Sequence, residues 1–202
     1  MIRDERPAPS RVLRRGLLPV AAAALVLAGC STYLGGSRPI DPSDLAAPGW
    51  IAATNVPYIA QQEDLDCGVA ALAMMLLHWK AVQGIEEVRA ACPPDPERGT
   101  EAGALRDFAK VRGLQAFVIE GDFEVIEKEL ARGRPVLVGM FKRTLGGLVT
   151  HFEVVVGYHP GLKLVATLDP SLGPRVNDES GFDEEWGLAK RVALVVFRLK
   201  GE

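Results

Sequence analysis

The 202-residue sequence has few cysteines, no surplus of basic charge and no long hydrophobic run. Three cysteines are too few for a disulfide framework, and a net charge of −3 gives no positive field that would attract nucleic-acid phosphates. The apolar stretch near the N-terminus is shorter than the ~20 residues that a helix needs to span a bilayer. With 48% hydrophobic and 24% charged residues, the sequence instead predicts an ordinary globular domain without a nucleic-acid partner.

The first 29 residues have the layout of a secretory leader. Five arginines precede an uncharged apolar stretch, Gly16 to Ala28, which runs into Leu27-Ala28-Gly29-Cys30. This tetrapeptide resembles the lipobox of bacterial lipoproteins, in which the cysteine is lipidated and begins the mature chain. The resemblance implies a membrane anchor at Cys30. Ser31 stands where lipoproteins retained at the inner membrane have Asp, which implies the outer membrane, facing the periplasm; a plain cleaved signal peptide is the alternative.

A short linker is expected between this leader and the folded domain. Residues 30–50 comprise the lipidated cysteine and a segment rich in Gly, Pro and Ser with little hydrophobic periodicity, which is typical of a tether. We therefore expect three parts: a signal peptide over 1–29, a tether over 30–50 and a folded domain over 51–202.

The folded domain is expected to place its helices before its strands. The run from Cys67 to Lys80 is apolar nearly all round and predicts a central buried helix with Asp66 as its N-cap. Three peripheral helices are predicted over Ile85–Ala91, Glu101–Arg112 and Phe123–Arg132. Short β-branched runs then predict strands over Val136–Phe141, Phe152–Tyr158, Leu162–Leu168 and Val192–Leu199. This segregated order indicates an α+β fold, with the buried helix packed on an antiparallel sheet.

Cys67 is a candidate nucleophile because it stands at the predicted start of the buried helix. There, free backbone N–H groups and the positive end of the helix dipole stabilise a thiolate. Gly68 would let a substrate carbonyl approach the backbone, and the side-chain amide of Gln61 could join the Cys67 N–H as donors to an oxyanion. The alternative for a cysteine in an apolar helix is a small buried hydrophobe.

A histidine and an aspartate are expected to meet across a hairpin. If the turn at residues 159–161 is centred on residue 160, His151 lies directly opposite Asp169. The carboxylate would then hold one ring nitrogen while the other takes a proton from the thiol. A slip of one residue would break this contact. Alternatively, His151 caps a strand end and Asp169 only opens a turn.

Together, three stretches resemble the papain-like double-glycine leader peptidases, the processing domains of bacteriocin-exporting ABC transporters. They are Gln61–Met74, His151–Gly157 and Leu168–Pro170. The resemblance covers about residues 55 to 200 and implies a papain-like cysteine peptidase fold. It also implies a role for each candidate: Cys67 as nucleophile, His151 as general base and then acid, Asp169 as orienting acid, and Gln61 as oxyanion donor.

The sequence has no Walker motif, so it is similar to stand-alone lipoprotein members of the family rather than to the transporters. We expect it to hydrolyse a secreted or periplasmic polypeptide, with cleavage after Gly-Gly if the family preference is kept and with a secretion-system partner delivering the substrate. Two alternatives stay open: a non-catalytic, peptide-binding lipoprotein on the same fold, and a cell-wall endopeptidase.

Several other residues bear on the site. Glu153 shares the predicted face of His151, where we expect a solvated strand face rather than a cleft wall. We expect Cys92 to be a free structural thiol, the alternative being a disulfide with Cys67. Gly146-Gly147 is interpreted as a flexible cleft loop rather than a self-cleavage site. The cysteines and histidines never fall at zinc-like spacing, so we expect no metal and no cofactor.

Overall fold

The structure is a computed structural model that describes residues 37–144 and 147–199. Within these residues, five α-helices pack on an eight-stranded sheet. The helices are α1 (Cys67–His78), α2 (Ile85–Ala91), α3 (Ala102–Val111), α4 (Phe123–Leu130) and α5 (Glu179–Leu188), with a short 3₁₀ helix over Pro42–Ala46. The strands are β1 (Arg38–Pro39), β2 (Ile51–Ala52), β3 (Gln115–Glu120), β4 (Val136–Thr144), β5 (Gly147–His159), β6 (Leu164–Asp169), β7 (Gly173–Asp178) and β8 (Val192–Phe197).

The sheet has the order β1-β7-β6-β5-β4-β8-β3, β2 pairs with β5 as well, and the strand pairs in the described part of the chain are antiparallel. Because side chains alternate along a strand, the sheet has two apolar faces. One face packs against α1, α2 and α3 through residues such as Val154, and the other packs against α4 and α5 through residues such as Val155. The α+β fold with a buried helix on an antiparallel sheet is therefore confirmed.

Helix α1 is as buried as its composition predicts, because each of its residues from Cys67 to Leu76 is buried. Asp66 occupies the N-cap position, but its side chain does not cap the helix; the carboxylate instead binds Arg89 at 2.5 Å. The helix ends at His78, two residues before the predicted end. Lys80 adopts a left-handed φ of 55°, which stops the helical ladder.

Four of the eight strands and one helix were not expected from the sequence. β1 and β2 are two-residue strands, β3 lies at an edge of the sheet, and β7 follows a tight turn after β6. Helix α5 carries four acidic residues but buries Phe182 and Trp186, which are four residues apart, against the sheet. A short edge strand and an acid-rich helix both lack the clear apolar periodicity on which the predictions depend.

The expected tether is partly built into the fold. Strand β1 pairs with β7, and Ser37 accepts hydrogen bonds from Arg175. Leu45 and Trp50 pack so closely on Gly157 that a Cβ there would lie 3.1 Å and 3.2 Å from them. The folded part of the chain therefore begins before Ile51. The expected signal peptide and Cys30 lie outside the described residues, and within those residues no helix is both long and apolar enough to cross a membrane.

Candidate active site

The predicted contact between His151 and Asp169 is present, although the strands pair differently from the prediction. Nε2 of His151 lies 2.8 Å from Oδ1 of Asp169, and both side chains are buried. The turn occupies residues 160–163, and Leu168 pairs with Val154. Asp169 therefore comes opposite Glu153 and stands diagonal to His151 rather than directly opposite. Direct opposition was wrong, but a diagonal neighbour on the same face is also within reach.

A β-bulge keeps the two side chains on one face. Near the turn, Tyr158 pairs with Val165. If this register continued along the hairpin, the side chains of His151 and Asp169 would lie on opposite faces of the sheet. The register shifts by one residue between Val155 and Gly157. This shift restores the parity that brings Asp169 to the face of His151, so the bulge is what makes the contact possible.

The thiol of Cys67 completes a chain of three groups. Cys67 is the first residue of α1 and only 7% exposed, and its side chain is near enough to the His151 ring to help raise the pKa of the imidazole. Since Nε2 of His151 faces Asp169, Nδ1 is the nitrogen left for the thiol. The order thiol, imidazole, carboxylate is the arrangement by which a base both activates a nucleophile and is itself oriented.

Electrostatics favour the charged forms of His151 and Asp169. Burial disfavours the imidazolium, but the hydrogen bonds to Asp169 and Cys67 and the charges of Asp169 and Glu153 outweigh it, so the pKa of His151 is raised from 6.5 to about 10. Burial also disfavours the charged form of Asp169 and so raises its pKa. The contact with His151 and smaller contributions from Lys142 and Ser171 outweigh this effect and lower the pKa from 3.8 to about 2. At neutral pH the pair is therefore an imidazolium held by a carboxylate.

Gln61 is brought to the same corner by the turn after β6. Its backbone N–H donates to the Pro170 carbonyl at 2.9 Å, and its Oε1 accepts from the Ser171 hydroxyl at 2.8 Å. The Ser171 N–H in turn donates to Asp169 at 2.8 Å. Nε2 of Gln61 donates to the Glu63 carbonyl at 3.1 Å, and its second contact, to the Asp64 carbonyl, is a long 3.5 Å. An oxyanion would have to replace this longer contact to receive a hydrogen bond from the amide.

Gly68 is required by packing as well as by the proposed approach of a substrate. A Cβ at this position would lie 3.1 Å from the Phe152 ring and 3.2 Å from the Thr100 side chain. Both neighbours also line a cavity of about 270 Å³ beside His151, with Gly139 in its wall. A second cavity, of about 430 Å³, adjoins Asp66 and is lined by other acidic side chains, namely Glu63, Asp64 and Asp95.

Glu153 is not on a solvated face, so that prediction was wrong. It is 0% exposed, and Oε1 lies 4.0 Å from Nε2 of His151. Its carboxylate forms an ion pair with the buried Lys142, which also lies 3.3 Å from Glu185 of α5. The sequence predicted that this strand ends at Phe141, one residue before Lys142, whereas β4 continues to Thr144. His151, Glu153 and Val155 are each two residues apart along β5 and therefore share one face of the strand. This spacing was the signal that could have revealed the burial of Glu153.

A metal ion would fit this corner only at the expense of existing contacts. Ligand atoms of His151, Glu153 and Asp169 all lie within 4.8 Å of one another. An ion there would displace the hydrogen bond between His151 and Asp169 and the ion pair between Glu153 and Lys142. The expectation of a metal-free site stays a prediction.

The remaining cysteine is structural. Cys92 is a free thiol in the core, and its Sγ lies 3.6 Å from the Ala104 carbonyl. Burial raises the pKa of this thiol, which makes it a poor nucleophile at neutral pH. Cys67 is also free, so the two do not form a disulfide here. Gly147 is exposed, whereas Gly146 lies outside the described residues, and its predicted role stays a prediction.

A buried thiol at a helix N-terminus, joined through an imidazole to a carboxylate, defines a cysteine peptidase of the papain-like class. Residues 55–198 match the family model of the peptidase C39 family. The chain therefore belongs to the peptidase C39 family, as the resemblance implied.

Two curated relatives are transport/processing ATP-binding proteins. The mesentericin-Y105 transport/processing ATP-binding protein MesD of Leuconostoc mesenteroides is 30% identical over 65% of this chain. The pediocin PA-1 transport/processing ATP-binding protein PedD of Pediococcus acidilactici is 24% identical over 73% of it. The matched segments span only 18% and 19% of those relatives, respectively.

Solved structures support the same fold. A double glycine motif protease from an AMS/PCAT transporter, crystallised with its leader peptide, is 26% identical with a TM-score of 0.58 over 73% of this chain and 94% of its own. The peptidase domain of Streptococcus ComA, a bi-functional ABC transporter, is 22% identical with a TM-score of 0.60 over 72% of this chain and 100% of its own. The papain-like fold of the C39 peptidases is thereby confirmed for this chain.

Proposed function

We propose that the chain hydrolyses peptide bonds of a secreted or periplasmic polypeptide through an acyl-enzyme on Cys67. The observation that carries the proposal is the buried chain of Cys67, His151 and Asp169, in which the imidazole contacts both other groups. Membership of the C39 family supports the same reaction class.

The reaction follows from these contacts. His151 holds the proton of the Cys67 thiol as an imidazolium while the sulfur attacks the carbonyl carbon of the substrate, forming a C–S bond as the C=O π bond opens to an oxyanion. The oxyanion is stabilised by the Cys67 N–H and the Gln61 amide. His151 then protonates the leaving amine as the C–N bond breaks. Water, deprotonated by His151, hydrolyses the thioester and restores the thiol.

We also propose that cleavage follows a pair of glycines. The support is the 26% identity with a double glycine motif protease solved with a leader peptide, and the match to two bacteriocin transport and processing proteins. The mainly apolar cavity beside His151 would receive residues preceding the glycines.

The lipid anchor at Cys30 and a position at the outer membrane facing the periplasm are part of this proposal. Their support is the leader layout and the tetrapeptide ending in Cys30. A secretion-system partner would then deliver the polypeptide. Replacing Cys30 with Ser should move the protein from the membrane to the soluble fraction; unchanged membrane association would contradict the anchor.

The test of the proposed activity uses the full chain in mild detergent and a synthetic leader peptide with a Gly-Gly site. We expect cleavage after the second glycine, detected by mass spectrometry, and its loss in Cys67→Ala and His151→Ala. Cys92→Ala is the matched control and should cleave normally. Peptide binding without cleavage by the wild type would instead support the non-catalytic alternative, and cleavage of peptidoglycan fragments alone would support the cell-wall enzyme.

A further inference from the structure

A cluster of buried charges lies directly behind the catalytic histidine. Glu153 follows His151 on the same face of β5, Lys142 comes from β4, and Glu185 comes from α5. The three side chains are 0%, 8% and 1% exposed, respectively. Charged groups are almost never buried this deeply unless they are paired, and here Lys142 pairs with both Glu153 and Glu185.

The position of Glu153 gives His151 two carboxylate neighbours. Nε2 of His151 lies 2.8 Å from Oδ1 of Asp169 and 4.0 Å from Oε1 of Glu153. Asp169 makes the direct hydrogen bond. Glu153 contributes its charge through the few ångströms of protein between them, where water screens little.

The formal charges around His151 show why a second carboxylate beside the ring matters. His151 is faced by Cys67 of α1, Glu153 of its own strand, Asp169 of β6 and, through the cluster, Lys142 and Glu185. Arg98 and Glu101 line the open side of the adjoining cavity. Three buried carboxylates face one ammonium, so the corner carries an excess of negative charge that an imidazolium reduces. Lys142 neutralises only part of it.

We propose that Glu153 is a positioning residue for His151, a second buried carboxylate that helps to keep the ring charged while Cys67 is a thiolate. This inference rests on the proposed function. The family resemblance implies no role for Glu153; its burial and its distance of 4.0 Å from Nε2 of His151 are what support the role.

The test measures the titration of His151 directly. The chain has three histidines, so the ring protons of His78, His151 and His159 can be followed by NMR against pH in the full chain, with His151→Ala assigning the signal. In Glu153→Gln we expect the His151 midpoint to fall by about one pH unit, the order typical of losing a nearby opposite charge. The midpoint of His159, at the far end of β5, should not move.

A second variant separates charge from packing. Gln keeps the shape of Glu153 but not its charge, whereas Glu153→Asp keeps the charge and leaves a gap. If Glu153 acts by charge, Asp shifts the His151 midpoint less than Gln does; if it only fills space, Asp disturbs the site more. We expect Glu153→Gln to fold because Lys142 keeps Glu185 as a partner at 3.3 Å. Should the Gln variant not fold, the Asp variant decides alone: a His151 midpoint within a few tenths of a pH unit of the wild type supports the inference, and a fall of about one pH unit or more overturns it.

The same variants distinguish this inference from the proposed function. The alkaline limb of kcat/KM for the leader peptide should move to lower pH in Glu153→Gln, together with the NMR midpoint. If the wild type cleaves nothing but its His151 midpoint still responds to Glu153→Gln, the proposed activity fails and the positioning role stands. An unchanged midpoint in a cleaving enzyme would overturn the positioning role alone.

Discussion

Replacing Asp169 with Asn removes the charge that holds His151 while keeping the size of the side chain. In the wild-type structure, Oδ1 accepts from Nε2 of His151 and from the Ser171 N–H, each at 2.8 Å. An amide oxygen can still accept a hydrogen bond, but it cannot balance an imidazolium. We therefore expect the pKa of His151 to fall from about 10 towards 6.5, and the peptidase rate to fall by about two orders of magnitude or more.

The size of the stability change follows from the pKa of Asp169, which lies at about 2 rather than 3.8. At about 1.4 kcal/mol for each pKa unit, this contact stabilises the folded state by about 2 kcal/mol. The contribution requires an ionised Asp169, so it is lost as the pH falls from 3.8 through about 2. It also requires a charged His151, so it is lost as the pH rises from 6.5 through about 10. The raised pKa of His151 contains this contact together with contributions from Cys67 and Glu153, so the two shifts do not add.

Urea unfolding at about pH 5 and at about pH 2 measures both parts of this prediction. Asp169→Asn should lower the free energy of unfolding at the higher pH and differ much less from the wild type at the lower pH. Asp44→Asn, at an exposed position in the 3₁₀ helix, is the control and should change little at either pH. The reasoning is refuted if Asp169→Asn costs the same stability at both pH values, or if the His151 titration is unmoved.

Two further changes test other parts of the structure. Ser171→Ala removes the hydroxyl that donates to Oε1 of Gln61 at 2.8 Å, and the cleavage rate should fall about tenfold. Iodoacetamide should still label Cys67 at the wild-type rate, because alkylation forms no oxyanion. Equal loss in both assays would contradict a role through Gln61. Gly121→Ala should lower the melting temperature because its Cβ would lie 2.8 Å from the buried Trp186 ring, whereas Gly84→Ala meets nothing within 4 Å; similar effects of the two would contradict the packing argument.

The sequence predicted the partners of the site better than it predicted the strand register. The hairpin was centred on residue 160, but the turn extends to Lys163, which adopts a left-handed φ of 53°. This longer turn alone would have separated His151 from Asp169. The bulge after Val155 compensates, and the isolated Gly157 at the shift of register is the one residue of the strand that could have indicated it. The assumed hairpin pairing therefore predicted the right partner for His151 from a wrong register, and the resemblance pointed to the same partner.

The environment of the site could not be read from local pattern. Glu153 and Lys142 are charged residues, and charge alone would assign their side chains to solvent. Their burial depends on Glu185 of α5, a helix that was itself not predicted because its acidic residues hide the pair of Phe182 and Trp186. Long-range pairing of charges between unpredicted elements is therefore the part that sequence periodicity cannot supply.

The path of the N-terminal segment bears on where a substrate can be met. Along β1 the chain runs from Arg38, opposite Val176, towards Ile40, which donates to the carbonyl of Pro174 near the active-site end of β7. Ser37 therefore lies towards the end of β7 that is farther from Asp169. On the proposed anchoring at Cys30, the seven peptide steps to Ser37 can span at most about 25 Å. On that proposal, a tether of this length would hold the start of the folded domain within about 25 Å of the membrane surface.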